Sequence, residues 1–136
     1  MATLKLEIVT PEKVAYSDDV DSVVLPAVEG EMGVLPMHIP VLTQITPGEL
    51  VVSKAGKKHY LAVGEGFVSV DQTSVKVMTD MALESEQIDE GAAEAAVQRA
   101  REAIASKDFG SEEGAAVQAA LAKSLAQLHV KRRRRS

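Results

Sequence analysis

Cysteine is absent from the 136 residues. Disulfides, thiolate catalysis and Cys-ligated metals are therefore excluded, and a reducing compartment is allowed. Tryptophan is also absent, and two Phe and two Tyr make up the whole aromatic complement. A surface that stacks nucleobases needs more than this. No apolar run approaches the about 20 residues that cross a bilayer. The opening MATLKLEIVTPEK reads as an amphipathic strand and not as a secretory signal. A soluble chain is the expectation.

Catalytic constellations are missing too. His38, His59 and His129 are far apart in sequence, with no metal-ligand spacing. There is no Walker-type Gly-rich loop with its Lys. Gly30-Glu31-Met32-Gly33 and Gly64-Glu65-Gly66 lack the βαβ context of a nucleotide fingerprint, so turn geometry explains them better. The carboxylates are scattered, which gives no pair for acid–base work. An enzymatic reading has no residues to carry it.

What is present divides near residue 85. Residues 1–84 alternate and are punctuated by turn residues. Leu4, Leu6 and Ile8 alternate with Lys5 and Glu7, so one face of the first strand is apolar. A second β-rich run over Val20–Leu25 is expected to close at Pro26. Leu50–Val52, His59–Val63, Phe67–Val70 and Val75–Met78 follow as strands. Ala55-Gly56-Lys57 reads as a hairpin loop, and Pro47-Gly48 and Asp71-Gln72-Thr73 read as turns. Short strands with turns about every ten residues indicate an antiparallel sandwich or barrel.

From Glu84-Ser85-Glu86 onward the pattern is helical. Ser85 or Asp89 can cap a helix, and residues 88–106 are rich in good helix formers. Lys107–Ser111 breaks that helix, and a second runs from Ser111 to about Val130. Val117, Leu121, Leu125 and Leu128 give the second helix an apolar stripe. Ile88, Ala92, Ala95, Ala96, Arg99, Ala103 and Ile104 give the first a weaker one. The short connection predicts an antiparallel hairpin. Because alanine dominates its contact faces, helix docking should be only a few kcal/mol deep, against roughly 1.5–3 kcal/mol for each fully buried Leu. The hairpin is thus a candidate movable element.

The net charge of -5 conceals an asymmetry. Lys131-Arg132-Arg133-Arg134-Arg135 holds five of the fifteen basic residues, leaving ten against twenty acidic ones in the body. Such a run can be solvated, can bind nucleic acid or anionic lipid, or can meet an acidic protein surface. A free-standing sandwich module gripping RNA or membrane through this tail is the competing reading. The acidic body argues against it.

One stretch is specific. Gly30-Glu31-Met32-Gly33-Val34-Leu35-Pro36-Met37-His38-Ile39-Pro40 follows the Val-rich run. With Ile8-Val9-Thr10-Pro11-Glu12, Gly64-Glu65-Gly66-Phe67-Val68 and the closing Leu121–Leu128, it resembles the epsilon subunits of F-type ATP synthases over essentially the whole chain. The resemblance implies a ten-stranded β-sandwich over residues 1–84 and a regulatory helical hairpin over 85–136. It implies a non-catalytic rotor subunit that couples the c ring and gamma to the catalytic head, and whose helices inhibit ATP hydrolysis. The family's ring-contacting loop falls on Glu29, Gly30, Glu31, Met32 and Gly33, and its gamma side on His38 and Pro40. Lys131, Arg132, Arg133, Arg134 and Arg135 would meet a catalytic β subunit. Membrane attachment would come only through the complex, on the cytoplasmic face of a bacterial membrane or the stromal side of a thylakoid. The lack of a transit peptide fits a bacterial or organelle-encoded chain.

Some members of that family bind ATP on the hairpin through an Ile-Asp-x-x-Arg-Ala motif. Ile88, Asp89 and Ala93 match it, but Ala92 stands at the motif arginine. Arg99 matches a further family arginine, whereas Lys123 and Gln127 replace two others. Losing guanidinium groups removes bidentate phosphate recognition, so weak ATP binding or none is expected and no cofactor is implied.

Overall fold

The computed structural model describes residues 3–106 and 111–133. Ten strands come first: β1 Leu4–Val9, β2 Val14–Val20, β3 Ser22–Ala27, β4 Gly30–Val34, β5 Val41–Ile45, β6 Gly48–Lys54, β7 Lys57–Val63, β8 Gly66–Val70, β9 Ser74–Thr79 and β10 Ala82–Glu84. A 3-10 turn over Ser85–Gln87 leads to helices α1 Glu90–Ser106 and α2 Ser111–Arg133. The strands form one ladder in the order β10-β7-β6-β3-β5-β8-β9-β1-β2, with β4 paired to β3 alone. The ladder folds over on itself into a sandwich.

Period-2 alternation fixes that core. Leu4, Leu6 and Ile8 of β1 are fully buried, as are Val23 and Leu25 of β3, Leu50 and Val52 of β6, and Val68 of β8. All join a single apolar cluster with Val75 and Val77 of β9. The pairing is antiparallel except between β1 and β9, which run parallel from Lys5↔Ser74 to Val9↔Met78. A parallel pair requires a long crossover, and the chain between residues 9 and 74 supplies it.

Three features depart from the sequence reading. Val14–Val20 is a strand of its own, hidden by Ser17, Asp18 and Asp19. Gly30–Val34 and Val41–Ile45 are strands as well. Pro26 does not close β3, which continues to Ala27. Pro26 sits where the partner of β3 changes from β6, paired at Ser22–Val24, to β5, paired at Ala27. A residue without an N–H is tolerated in that gap, and its carbonyl accepts the Thr46 N–H at 2.8 Å. The Ala55-Gly56 loop is a two-residue hairpin turn with φ of 53° and 78°, the backbone that matches strand twist.

The helices pack antiparallel, the end of α2 meeting the start of α1. Asp89 caps α1, its Oδ1 accepting the Ala92 N–H at 3.0 Å. The buried residues of α1 are Ala93, Val97 and Ala100, whereas Ala92, Ala95 and Arg99 of the expected stripe are exposed. In an alanine-rich helix, size contrast is too small to fix which face turns inward. The α2 stripe also differs, because α2 is covered on two sides. Leu121 and Leu128 face Ala93 and Val97 of α1. Ala126 and Val130 face Ala62 of β7 and Ile88, with Tyr60, Met81 and Leu83 beside them. The two sets are offset by two residues, or about 200° around a helix of 3.6 residues per turn. Leu125 lies in neither set and is exposed.

The β8–β9 turn is built on Asp71. Its carboxylate accepts the Thr73 N–H at 2.9 Å, the Ser74 N–H at 2.8 Å and the Ser74 hydroxyl at 2.9 Å. The Thr73 N–H, then the Ser74 hydroxyl and N–H, hold this carboxyl below its ordinary value. A lowered folded-state value gives stability that is present above the usual carboxylate range and lost as pH falls through the lowered value. Asp71→Ala is therefore expected to lower the urea midpoint of the chain at pH 7. The difference from the parent should shrink toward pH 3, as measured by denaturation at the two pH values.

Candidate functional site

The first candidate surface is the tip of the β3–β4 hairpin. Ala27 pairs with Gly30 across the two-residue loop Val28-Glu29, followed by Pro26↔Glu31, Leu25↔Met32 and Val24↔Gly33. Gly30 has φ of +118°, a conformation glycine adopts without a Cβ penalty. Glu29, Gly30, Glu31 and Gly33 are exposed, and Met32 is half-buried against the main core. The tip thus presents two carboxylates around an exposed Val28. A cleft of about 340 Å³ lies between this hairpin and Val41 and Thr43 of β5.

The second is apolar. Between β4 and β5 the segment 35–40 exposes Leu35, Met37 and Ile39, the last by 79%. The Met37 N–H bonds the Gln72 carbonyl at 2.8 Å, which ties this segment to the Asp71 turn. His38 is half-buried and donates its Nδ1–H to the Ile39 carbonyl at 2.6 Å, while Pro40 is exposed. Next to it, cross-strand pairing places Leu42, Phe67 and Met78 on one outer face. Leu42 opposes Ser69, Gln44 opposes Phe67, and Phe67 opposes Met78. Leu42 is 69% and Phe67 53% exposed. The sequence assigns none of Leu42, Phe67 and Met78 to a site. Their signal is apolar residues on both faces of a strand, which in sequence looks like a buried strand.

The third is the hairpin and the surface under it. Lys123 Nζ reaches Asp80 Oδ2 at 2.7 Å, on the β9–β10 turn. Asp80 lies over Gly64, where a Cβ would come within 2.0 Å of its Oδ1. His129 faces Glu49 of β6 at 3.7 Å. Lys131 Nζ donates to the Ser85 carbonyl at 3.0 Å. Arg132 donates from Nε to Glu90 at 3.0 Å and from another nitrogen to Glu94. The Glu90 and Glu94 hydrogen bonds raise the Arg132 guanidinium above its ordinary value.

The four ATP-motif positions are used otherwise. Ile88 is buried under α2, Asp89 is the α1 cap, Arg99 is exposed and Lys123 is paired with Asp80. A cleft between the helices is lined by Gly91, Glu94, Val97, Arg101, Leu128 and Arg132 among others, and by none of those four. Arg134, Arg135 and the Arg133 side chain lie outside the described residues, as do Lys107–Gly110. Among the described residues no group of three His, Asp or Glu could hold a metal ion. Among the described residues no helix is long and apolar enough to cross a membrane.

A β-sandwich carrying a docked two-helix unit, with its distinctive surfaces turned outward, defines an assembly subunit. Two family descriptions match the chain end to end. "ATP synthase, Delta/Epsilon chain, beta-sandwich domain" covers residues 3–85, and "ATP synthase, Delta/Epsilon chain, long alpha-helix domain" covers residues 86–132. The ATP synthase epsilon chain of Desulforamulus reducens is 44% identical over 110 residues, spanning 81% of this chain and 82% of that one. That of Alkalilimnicola ehrlichii is 38% identical over 136 residues, spanning 99% and 96%. Among solved structures, a chain of the Euglena gracilis mitochondrial ATP synthase OSCP/F1/c-ring superposes with a TM-score of 0.80. It is 28% identical, over 95% of this chain and 81% of that one. A chain of the Tetrahymena thermophila central stalk/c-ring, 12% identical with a TM-score of 0.56 over the full length of both, shares the fold. The chain belongs to the delta/epsilon chain family of ATP synthases. It is a non-catalytic subunit of that complex, whose F1 sector is peripheral on the membrane.

The seat of α2 can be tested directly. Val130 is fully buried between helix and sandwich. Val130→Ala removes two buried methyl groups and should loosen the hairpin by roughly 1.5 kcal/mol, at about 0.8 kcal/mol per buried carbon. Amide exchange should quicken in α2 and stay unchanged in β1, β8 and β9.

Proposed function

We propose that this chain is the central-stalk subunit that couples gamma and the c ring to the catalytic head, and that its helical hairpin restrains ATP hydrolysis. The observation that carries the second half is the hairpin's attachment. It rests on a finished sandwich through Ala126, Val130 and the Lys123–Asp80 ion pair, with a basic run at its end. Helix seats of this kind are shallow, so a neighbouring subunit can compete for the helices.

In this reading Glu29, Gly30, Glu31, Met32 and Gly33 face the c ring, where two carboxylates at an exposed tip suit polar, basic loops. His38 and Pro40 face gamma together with Ile39, Leu42, Phe67 and Met78. A contiguous apolar face of this kind is what a lasting partner covers. Lys131 to Arg135 meet acidic residues of a catalytic β subunit once the hairpin extends. Several cations facing several carboxylates out of solvent bias a conformation more than one exposed pair, which contributes roughly 0–1 kcal/mol. The subunit works on the cytoplasmic face of a bacterial membrane, or the stromal side of a thylakoid. ATP binds the hairpin weakly or not at all, because the positions that would hold phosphate carry Ala92 and Gln127 and engage Lys123 with Asp80.

Two measurements test this. Leu42→Asp with Phe67→Asp should abolish co-purification with gamma while changing stability by no more than about 0.5 kcal/mol each, as exposed positions do. Retained co-purification would remove the gamma assignment of this face. Replacing Arg132 to Arg135 by alanine should weaken inhibition of ATP hydrolysis in the assembled complex without reducing assembly. Unchanged inhibition in that complex would refute the inhibitory role of the tail.

A further inference from the structure

We infer that Glu90 and Glu94 form a carboxylate latch that holds Arg132 and keeps the hairpin folded, withholding the start of the basic run from any acidic partner surface. The two glutamates are four residues apart on the first turns of α1, so they share a face. Antiparallel packing brings the last turn of α2 over that face. The Arg132 guanidinium then bridges both carboxylates, Nε to Glu90 at 3.0 Å and a second nitrogen to Glu94. The planar guanidinium holds its N–H donors in a fixed fork that meets two acceptors at once. The glutamates repel each other within α1, a destabilisation of the like-charge i,i+4 kind. Docked Arg132 compensates it, and lifting α2 away restores it.

The other described lysines of the α2 C-terminal half are engaged alongside. Lys123 meets Asp80 and Lys131 donates to the Ser85 carbonyl, while the His129 ring faces Glu49. Each acceptor belongs to the sandwich, to the turn after it, or to α1. Lys123, Lys131 and Arg132 are therefore matched from within the same chain when the hairpin is down. The apolar seat beneath it has Ala62, Ala126, Val130 and Ile88 at its centre, with Tyr60, Met81 and Leu83 packed partly buried beside them. Two of the four fully seated side chains are alanines, so these surface pairs contribute to the folded-to-open ratio. Being exposed, they weaken as salt rises, because the screening length falls from about 10 Å at 0.1 M to about 3 Å at 1 M.

The competition with a partner rests on the function proposed above, but the latch itself can be tested without one. The full chain carrying Glu90→Gln and Glu94→Gln is compared with the parent by hydrogen exchange at low salt and at 1 M NaCl. The expected result is α2 exchange faster by about two- to fivefold at low salt, the range that exposed ion pairs support. Sandwich amides should be unchanged, and the difference should vanish at 1 M NaCl. The charge-swapped pair Glu94→Arg with Arg132→Glu should restore protection that Arg132→Glu alone loses, which separates a latch from simple damage to a helix. Unchanged α2 exchange at low salt overturns the proposal, as does a change that neither salt nor the swap reverses. In the assembled complex, the double glutamine variant should inhibit ATP hydrolysis more strongly than the parent. If the exchange result holds and hydrolysis ignores both this variant and loss of the tail, the latch stands. The inhibitory reading of the tail, and with it the competition, then falls.

Discussion

The seat of α2 on the outer face of β7 governs this molecule. Ala62 supplies almost no side chain, so Ala126 and Val130 can lie close against the strand. Close approach of small residues gives a well-defined position with little apolar area removed from water. The position is therefore specific while the attachment is weak. A leucine-lined seat would hold the helices permanently and leave nothing for another subunit to take over. The sandwich has no such freedom: Leu4, Leu6, Ile8, Leu25, Leu50 and Leu61 are sealed in one cluster.

Charge works differently in the two parts. In the sandwich, ion pairs and turns fasten elements that are already committed. Lys54 of β6 bonds Asp18 of the edge strand β2, and this bond, helped by the Asp19 N–H, lowers the Asp18 carboxyl. On the hairpin the pairs lie at the periphery of a small contact, where each is a larger part of what holds it. The same interaction type thus secures a rigid body in one place and, in the function proposed above, tunes an equilibrium in another. The outward surfaces divide likewise: a polar hairpin tip at Glu29–Glu31 and an apolar face at Ile39, Leu42 and Phe67.

Much of the architecture was legible in the residues. Leu4, Leu6 and Ile8 announce a one-sided strand, and Ala55-Gly56 announces a hairpin, because alternation and turn chemistry are local. Val14–Val20 was not legible, since Ser17, Asp18 and Asp19 read as loop and only pairing with β1 makes them a strand. The inward faces of the helices were misjudged for a related reason. Choosing residues by size favours Leu125, yet α2 is covered on two sides and selects Ala126 and Val130 by position. At the candidate surfaces, Gly30 flags the β3–β4 tip through its own geometry, with φ of +118°. The Leu42–Phe67–Met78 face and the Arg132–Glu90–Glu94 group join residues from distant parts of the chain, so only the folded topology assembles them.

The parallel pairing of β1 with β9 has a consequence for biosynthesis. Strand β1 pairs locally with β2, but its other edge stays unmatched until residues 74–79 have left the ribosome. Contacts that distant in sequence are slow to close, so the sandwich is completed near the end of its own synthesis. Translation delivers the helices only after that, and they arrive at a surface already formed. The order of manufacture thereby keeps the helices out of the core and makes their docking a later, separate step.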